Sequence, residues 1–101
     1  MDEYLPAIIK CIVKAVSPDK IILFGSRLRG EKGPEVDYDI LIVKEGATSL
    51  RAITHQVYLA LADIPIAVDV LVTTPEKIEQ ERNKQGFVLA EAIKGRVVYE
   101  R

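Results

Sequence analysis

Apolar and polar positions along the chain alternate between two periods. Leu5, Ile8, Ile9, Ile12, Val13 and Val16 recur at helical spacing, which predicts an amphipathic helix ended by Ser17-Pro18. Lys20-Ile21-Ile22-Leu23-Phe24 is a short apolar run closed by a glycine, and predicts a buried strand over 20–25. A second such run, Ile40 to Val43, follows Asp37-Tyr38-Asp39 and predicts a strand over 37–44. Leu50, Ile53, Val57 and Leu61 return to helical spacing, predicting a helix over about 48–63 packed on the sheet. The apolar run from Ile66 predicts a third strand over about 66–73, stopped at Thr74-Pro75, where proline suits the first helical position. Residues 75–85 are strongly polar, so that helix is solvated or covers a partner. Val88, Leu89, Ala92 and Ile93 rejoin the core before Gly95, and Arg96 to Glu100 predicts a short closing edge strand.

A helix joining the second and third strands makes them parallel if the crossover is right-handed. The expected fold is therefore α/β, a mixed β-sheet with helices packed on one face. Length leaves room for one domain, residues 1–101, burying about two-thirds of the unfolded chain's surface. Apolar content of 49% and a net charge of −1 describe a globular chain without a basic excess, so nucleic acid is not an expected partner. The single cysteine, Cys11, excludes an intramolecular disulfide and suits a reducing compartment. Lys10 and Lys14 break the longest N-terminal apolar run, and Asp2 and Glu3 stand where a signal peptide would be basic. A cytoplasmic protein with no membrane segment is expected.

The chemistry gathers where the first two strands face each other. Ten residues separate Gly25-Ser26 from Asp37-Tyr38-Asp39. On a strand, residues i and i+2 share a face about 6.6 Å apart, so Asp37 and Asp39 stand side by side near the glycine-serine turn. Like charges so placed raise each other's pKa unless a cation lies between them. Two aspartates beside Gly33-Pro34-Glu35 could also merely punctuate a turn. Asp69 shifts the balance, because it interrupts an otherwise apolar strand and a buried carboxylate needs a partner. An arginine salt bridge would serve. A divalent metal shared with Asp37 and Asp39 fits better, since Mg²⁺ takes oxygen ligands alongside substrate phosphates.

Gly25-Ser26, ten residues, then Asp37-x-Asp39 resembles the signature of the minimal nucleotidyltransferases of the DNA polymerase β-like superfamily. Gly25-Ser26-Arg27-Leu28-Arg29-Gly30 resembles that family's turn, Val68-Asp69-Val70 its third-carboxylate strand, and the likeness covers nearly the whole chain. Val36 departs from the serine many relatives carry before the first aspartate. The resemblance implies the polymerase β-like palm fold and a metal-dependent transferase. It implies Asp37, Asp39 and Asp69 as catalytic and metal-holding residues, with one or two Mg²⁺ ions, and ATP as substrate. Gly25, Ser26 and Arg27 are expected to bind the nucleotide, Arg27 at the leaving pyrophosphate, while Arg29 packs or pairs structurally.

Small members often act as antitoxins of HEPN-domain toxins, so the resemblance implies AMP transfer from ATP to a tyrosine hydroxyl of such a toxin. Two other functions stay open: an antitoxin that masks its toxin without chemistry, and a standalone enzyme acting on a small molecule such as an aminoglycoside. A partner, or a second copy of the chain, is expected to supply part of the site. Two rival motifs fail. Gly25 to Gly30 has P-loop spacing, but Glu31-Lys32-Gly33 follows instead of lysine and Ser or Thr. Arg51, His55 and Tyr58 only approximate a HEPN ribonuclease motif, and His55 reads as a solvated helix residue.

Overall fold

The computed structural model describes residues 4–30, 37–81 and 88–101. The expected turn at Gly33-Pro34-Glu35 and the departure at Val36 lie outside the described residues. In chain order the elements are α1 (Leu5–Val16), β1 (Lys20–Phe24), β2 (Tyr38–Val43), α2 (Leu50–Ala60), β3 (Val68–Thr73), α3 (Pro75–Glu81), α4 (Val88–Ala92) and β4 (Arg96–Glu100).

Local chemistry sets the boundaries. α1 carries proline in its first turn and buries Leu5, Ile8, Ile12 and Val16 along one stripe. It ends where Ser17 turns left-handed (φ 47°) and donates its N–H to the Val13 carbonyl; Pro18 cannot continue a helix. α2 starts at Ser49, whose hydroxyl accepts from the Ala52 N–H at 3.2 Å. α3 starts likewise at Thr74, which accepts from the Lys77 N–H at 3.2 Å, with Pro75 in the first helical position.

The four strands form one mixed sheet in the order β3-β2-β1-β4. β1 is antiparallel to both β2 and β4, and β2 is parallel to β3, as the α2 crossover predicts. β2 is therefore central, which explains its unbroken apolar run Ile40 to Val43: both of its faces are covered.

Helices lie on both faces. Ile21, Leu23, Tyr38, Ile40 and Ile42 pack in one cluster with Ile8 and Ile12 of α1 and Val57 of α2. Ile22, Leu41 and Val43 point the other way and pack with Leu89 and Ala92 of α4, and with Ile78 of α3 at the margin. One-face packing thus holds for α1 and α2, while the short α3–α4 pair covers the opposite face. The reason is the alternating strand side chains, since a second apolar face also has to leave water. α3 itself buries no residue, in keeping with its polar composition.

Ile12 is fully buried, and Leu59 on α2 is 64% exposed. Ile12→Ala is expected to cost about 2–5 kcal/mol of unfolding free energy, and Leu59→Ala less than about 0.5. Denaturant unfolding of both variants measures the contrast.

Candidate active site

β1 and β2 meet so that Phe24 pairs with Asp39. The next residue, Gly25, turns the chain with φ 76°, a conformation that side chains resist. A Cβ placed on Gly25 would overlap the Asp39 carboxylate and come within 2.9 Å of its Cγ. The residue is glycine because Asp39 occupies that space. Residues 26–30 continue as a tight turn in which the Arg29 N–H reaches the carbonyls of Gly25 (3.3 Å) and Ser26 (3.1 Å), and the Gly30 N–H reaches Arg27 (3.1 Å). The Ser26 N–H points back and hydrogen-bonds to the Asp39 carboxylate.

Asp39 and Tyr38 leave opposite faces of β2, Tyr38 being fully buried, and Asp37, the residue before the strand, lies close enough for its charge to act on Asp39. Across the parallel pair, Asp39 is in register with Asp69, on the same face. Partial burial pushes the Asp39 carboxyl above its ordinary range, and the negative charges of Asp69 and Asp37 push it further; Arg29 and the Ser26 N–H oppose them. The three aspartates expected from the sequence therefore share one neighbourhood around Asp39.

One expectation about Asp69 is corrected. It is exposed, because β3 is an edge strand and its first half is only half-buried. Burial does not force a partner on it. What ties Asp69 to the site is its position beside Asp39. Nor is a metal cage prearranged: among the described residues no group of three His, Cys, Asp or Glu side chains is disposed to hold a metal ion. The donor chemistry still fits Mg²⁺, which keeps several waters and needs only one or two carboxylates besides substrate phosphates.

The two arginines of the turn go to different places. Arg29 donates through Nη2 to the Ser26 hydroxyl at 3.1 Å, and its charge acts on Asp39. The Arg27 guanidinium lies over the Tyr38 ring, 4.3 Å from its centroid, on the face away from the carboxylates. Tyr38 itself is a contact that sequence reasoning missed, although an aromatic residue between two aspartates was its visible signal. A second missed tyrosine is Tyr58 of α2, whose hydroxyl accepts the outward N–H of Val70 at 2.9 Å, one residue past Asp69. His55 is exposed on α2, as expected.

A nucleotidyltransferase-domain family model matches residues 5–98, nearly the whole chain. The protein belongs to that family, within the polymerase β-like nucleotidyltransferases, and its chemistry is transfer of a nucleotidyl group from a nucleoside triphosphate. No curated protein matches the chain. No helix among the described residues is long and apolar enough to cross a membrane.

Two outcomes are expected. Because Asp39 is harder to ionise in the folded state, its charge lowers stability as pH rises through the carboxylate range. Asp39→Asn should therefore raise the melting temperature at pH 7 without metal, and the gain should vanish below about pH 4, where aspartate is also neutral. Thermal melts across pH test the sign. Gly25→Ala meets both the left-handed backbone and the Asp39 carboxylate, and should cost about 1–3 kcal/mol in denaturant unfolding.

Proposed function

We propose that this protein is a metal-dependent nucleotidyltransferase that moves AMP from ATP to a tyrosine hydroxyl of a HEPN-domain toxin and so acts as an antitoxin. The observation that carries the transferase site is the crowding of Asp37 and Asp69 around a carboxylate that is itself pressed against the Gly25-Ser26 turn. ATP, the tyrosine acceptor and the toxin partner are supported by the resemblance of Gly25-Ser26…Asp37-x-Asp39 to the minimal nucleotidyltransferases.

In this reading Ser26 and the turn's backbone hold the terminal phosphates. A hydroxyl that accepts from Arg29 keeps its own proton for a phosphate oxygen, and Arg29 supplies positive charge beside it. Asp37 and Asp39 would hold one or two Mg²⁺ ions, with Asp69 contributing at the second position. Bound Mg²⁺ supplies polarisation of the α-phosphate and neutralisation of the departing charge. The acceptor hydroxyl attacks the α-phosphorus, a new P–O bond forms, and the bond to the β-phosphate oxygen breaks. Asp69, exposed at the sheet edge, either completes the second metal position or takes the hydroxyl proton, and pyrophosphate leaves towards Ser26 and Arg29.

Titrating Mg²⁺ with ATP should raise the melting temperature by mass action, and Asp37→Asn with Asp39→Asn should abolish the gain while the fold persists. Equal stabilisation of the double variant would sink the metal assignment. Incubating toxin, Mg²⁺ and ATP with the protein should add AMP mass to a tyrosine-containing toxin peptide, and Asp39→Asn should prevent it. If that variant neutralises the toxin with full potency, the protein acts by masking and the transfer is incidental.

A further inference from the structure

The turn after β1 touches the start of β2 on both faces. On the carboxylate face, Gly25 lies against Asp39 and the Ser26 N–H hydrogen-bonds to it. On the other face, the next residue, Arg27, lays its guanidinium over the Tyr38 ring. That ring is 0% exposed and belongs to the core cluster under α1 and α2, so its position is fixed from below by packing. The backbone of Tyr38 is fixed sideways by register with Val68 and by its N–H to the Ala67 carbonyl at 3.1 Å. Asp37 precedes the strand, and Tyr38 is its link to the ladder.

We propose that Arg27 and Tyr38 are positioning residues: their stack closes the turn onto β2 and sets Asp37 and Asp39 at their working separation from Ser26. Arg27 is suited to this task by its flat guanidinium, which stacks on an aromatic face where an ammonium makes a point contact. The clamp spans the strand, with one side of the turn on Asp39 and the other on Tyr38. It rests on the nucleotidyl-transfer reading above, since a working separation has meaning only if metal and phosphates meet there.

A direct phosphate contact by Arg27 is the competing role, and metal binding without nucleotide separates the two. Arg27→Met removes a positive charge from the face of the strand opposite the carboxylates. By Coulomb's law alone that change tightens or leaves unaltered the binding of a divalent cation. If the stack positions Asp37 and Asp39, the same variant weakens binding instead, because the carboxylates are no longer held in place.

The test is Mn²⁺ binding to the full chain, followed by electron paramagnetic resonance, first alone and then with ATP. The set comprises the parent, Arg27→Met, Tyr38→Phe, Tyr38→Leu and the double variant Arg27→Met/Tyr38→Leu. The expected result for Arg27→Met is a roughly five- to tenfold weaker Mn²⁺ affinity without nucleotide. Tyr38→Phe, which keeps the ring, should stay within about twofold of the parent, and the double variant should be no worse than the poorer single one. Unchanged or tighter Mn²⁺ binding by Arg27→Met, with weakening seen only when ATP is present, overturns the clamp in favour of phosphate contact. Should Tyr38→Leu fail to fold, Arg27→Met and Tyr38→Phe decide the matter alone. A parent chain that binds neither Mn²⁺ nor Mn²⁺ with ATP defeats the transferase reading and the clamp with it. A parent that binds both, with Arg27→Met binding as well, defeats the clamp only.

Discussion

The antiparallel pairing of Phe24 with Asp39 brings a carboxylate against the residue where the first strand ends, and the site follows from that contact. Gly25 can have no side chain there, and its left-handed backbone starts the turn whose next N–H hydrogen-bonds to the same carboxylate. Two residues later Arg27 reaches across to Tyr38, and Arg29 comes back to the Ser26 hydroxyl. The glycine-serine turn and the carboxylate cluster are thereby built as one unit rather than brought together by loops.

The unit carries an electrostatic cost. Asp39 is partly desolvated with Asp69 and Asp37 nearby, and Arg29 and one N–H only partly offset this. The rest of the fold bears it. β2 is central, its residues Ile40 to Val43 are buried from both sides, and the strand start cannot relax outward without disturbing that core. Such repulsion in the free protein would be relieved by a bound cation, in line with the proposed metal site.

Much of this was legible in the chain. Helical and strand periods placed each element among the described residues, and the crossover rule gave the parallel β2–β3 pair and hence the neighbourhood of Asp39 and Asp69. Four things were not. A run such as Val68-Asp69-Val70 reads the same in a central or an edge strand, so the exposure of Asp69 depended on a strand order that periodicity does not encode. The apolar runs in β1 and β2 conceal two faces, and the second needed α3 and α4 over it. The arginines of Arg27-Leu28-Arg29 cannot be told apart by type; their partners, Tyr38 and Ser26, are set by how the turn folds back. Gly25 was visible as a required glycine, and the contact that requires it, with Asp39, came only with register.

The central claim is that Asp39 is held, crowded and hard to ionise, in a place prepared for a cation and phosphates. Carboxyl carbon NMR of Asp39 across pH, in the free protein and with Mg²⁺ and ATP, tests it most directly. The account predicts an apparent pKa above the ordinary aspartate range in the free protein, falling when metal and nucleotide bind. An ordinary pKa that stays the same when both are added would contradict it.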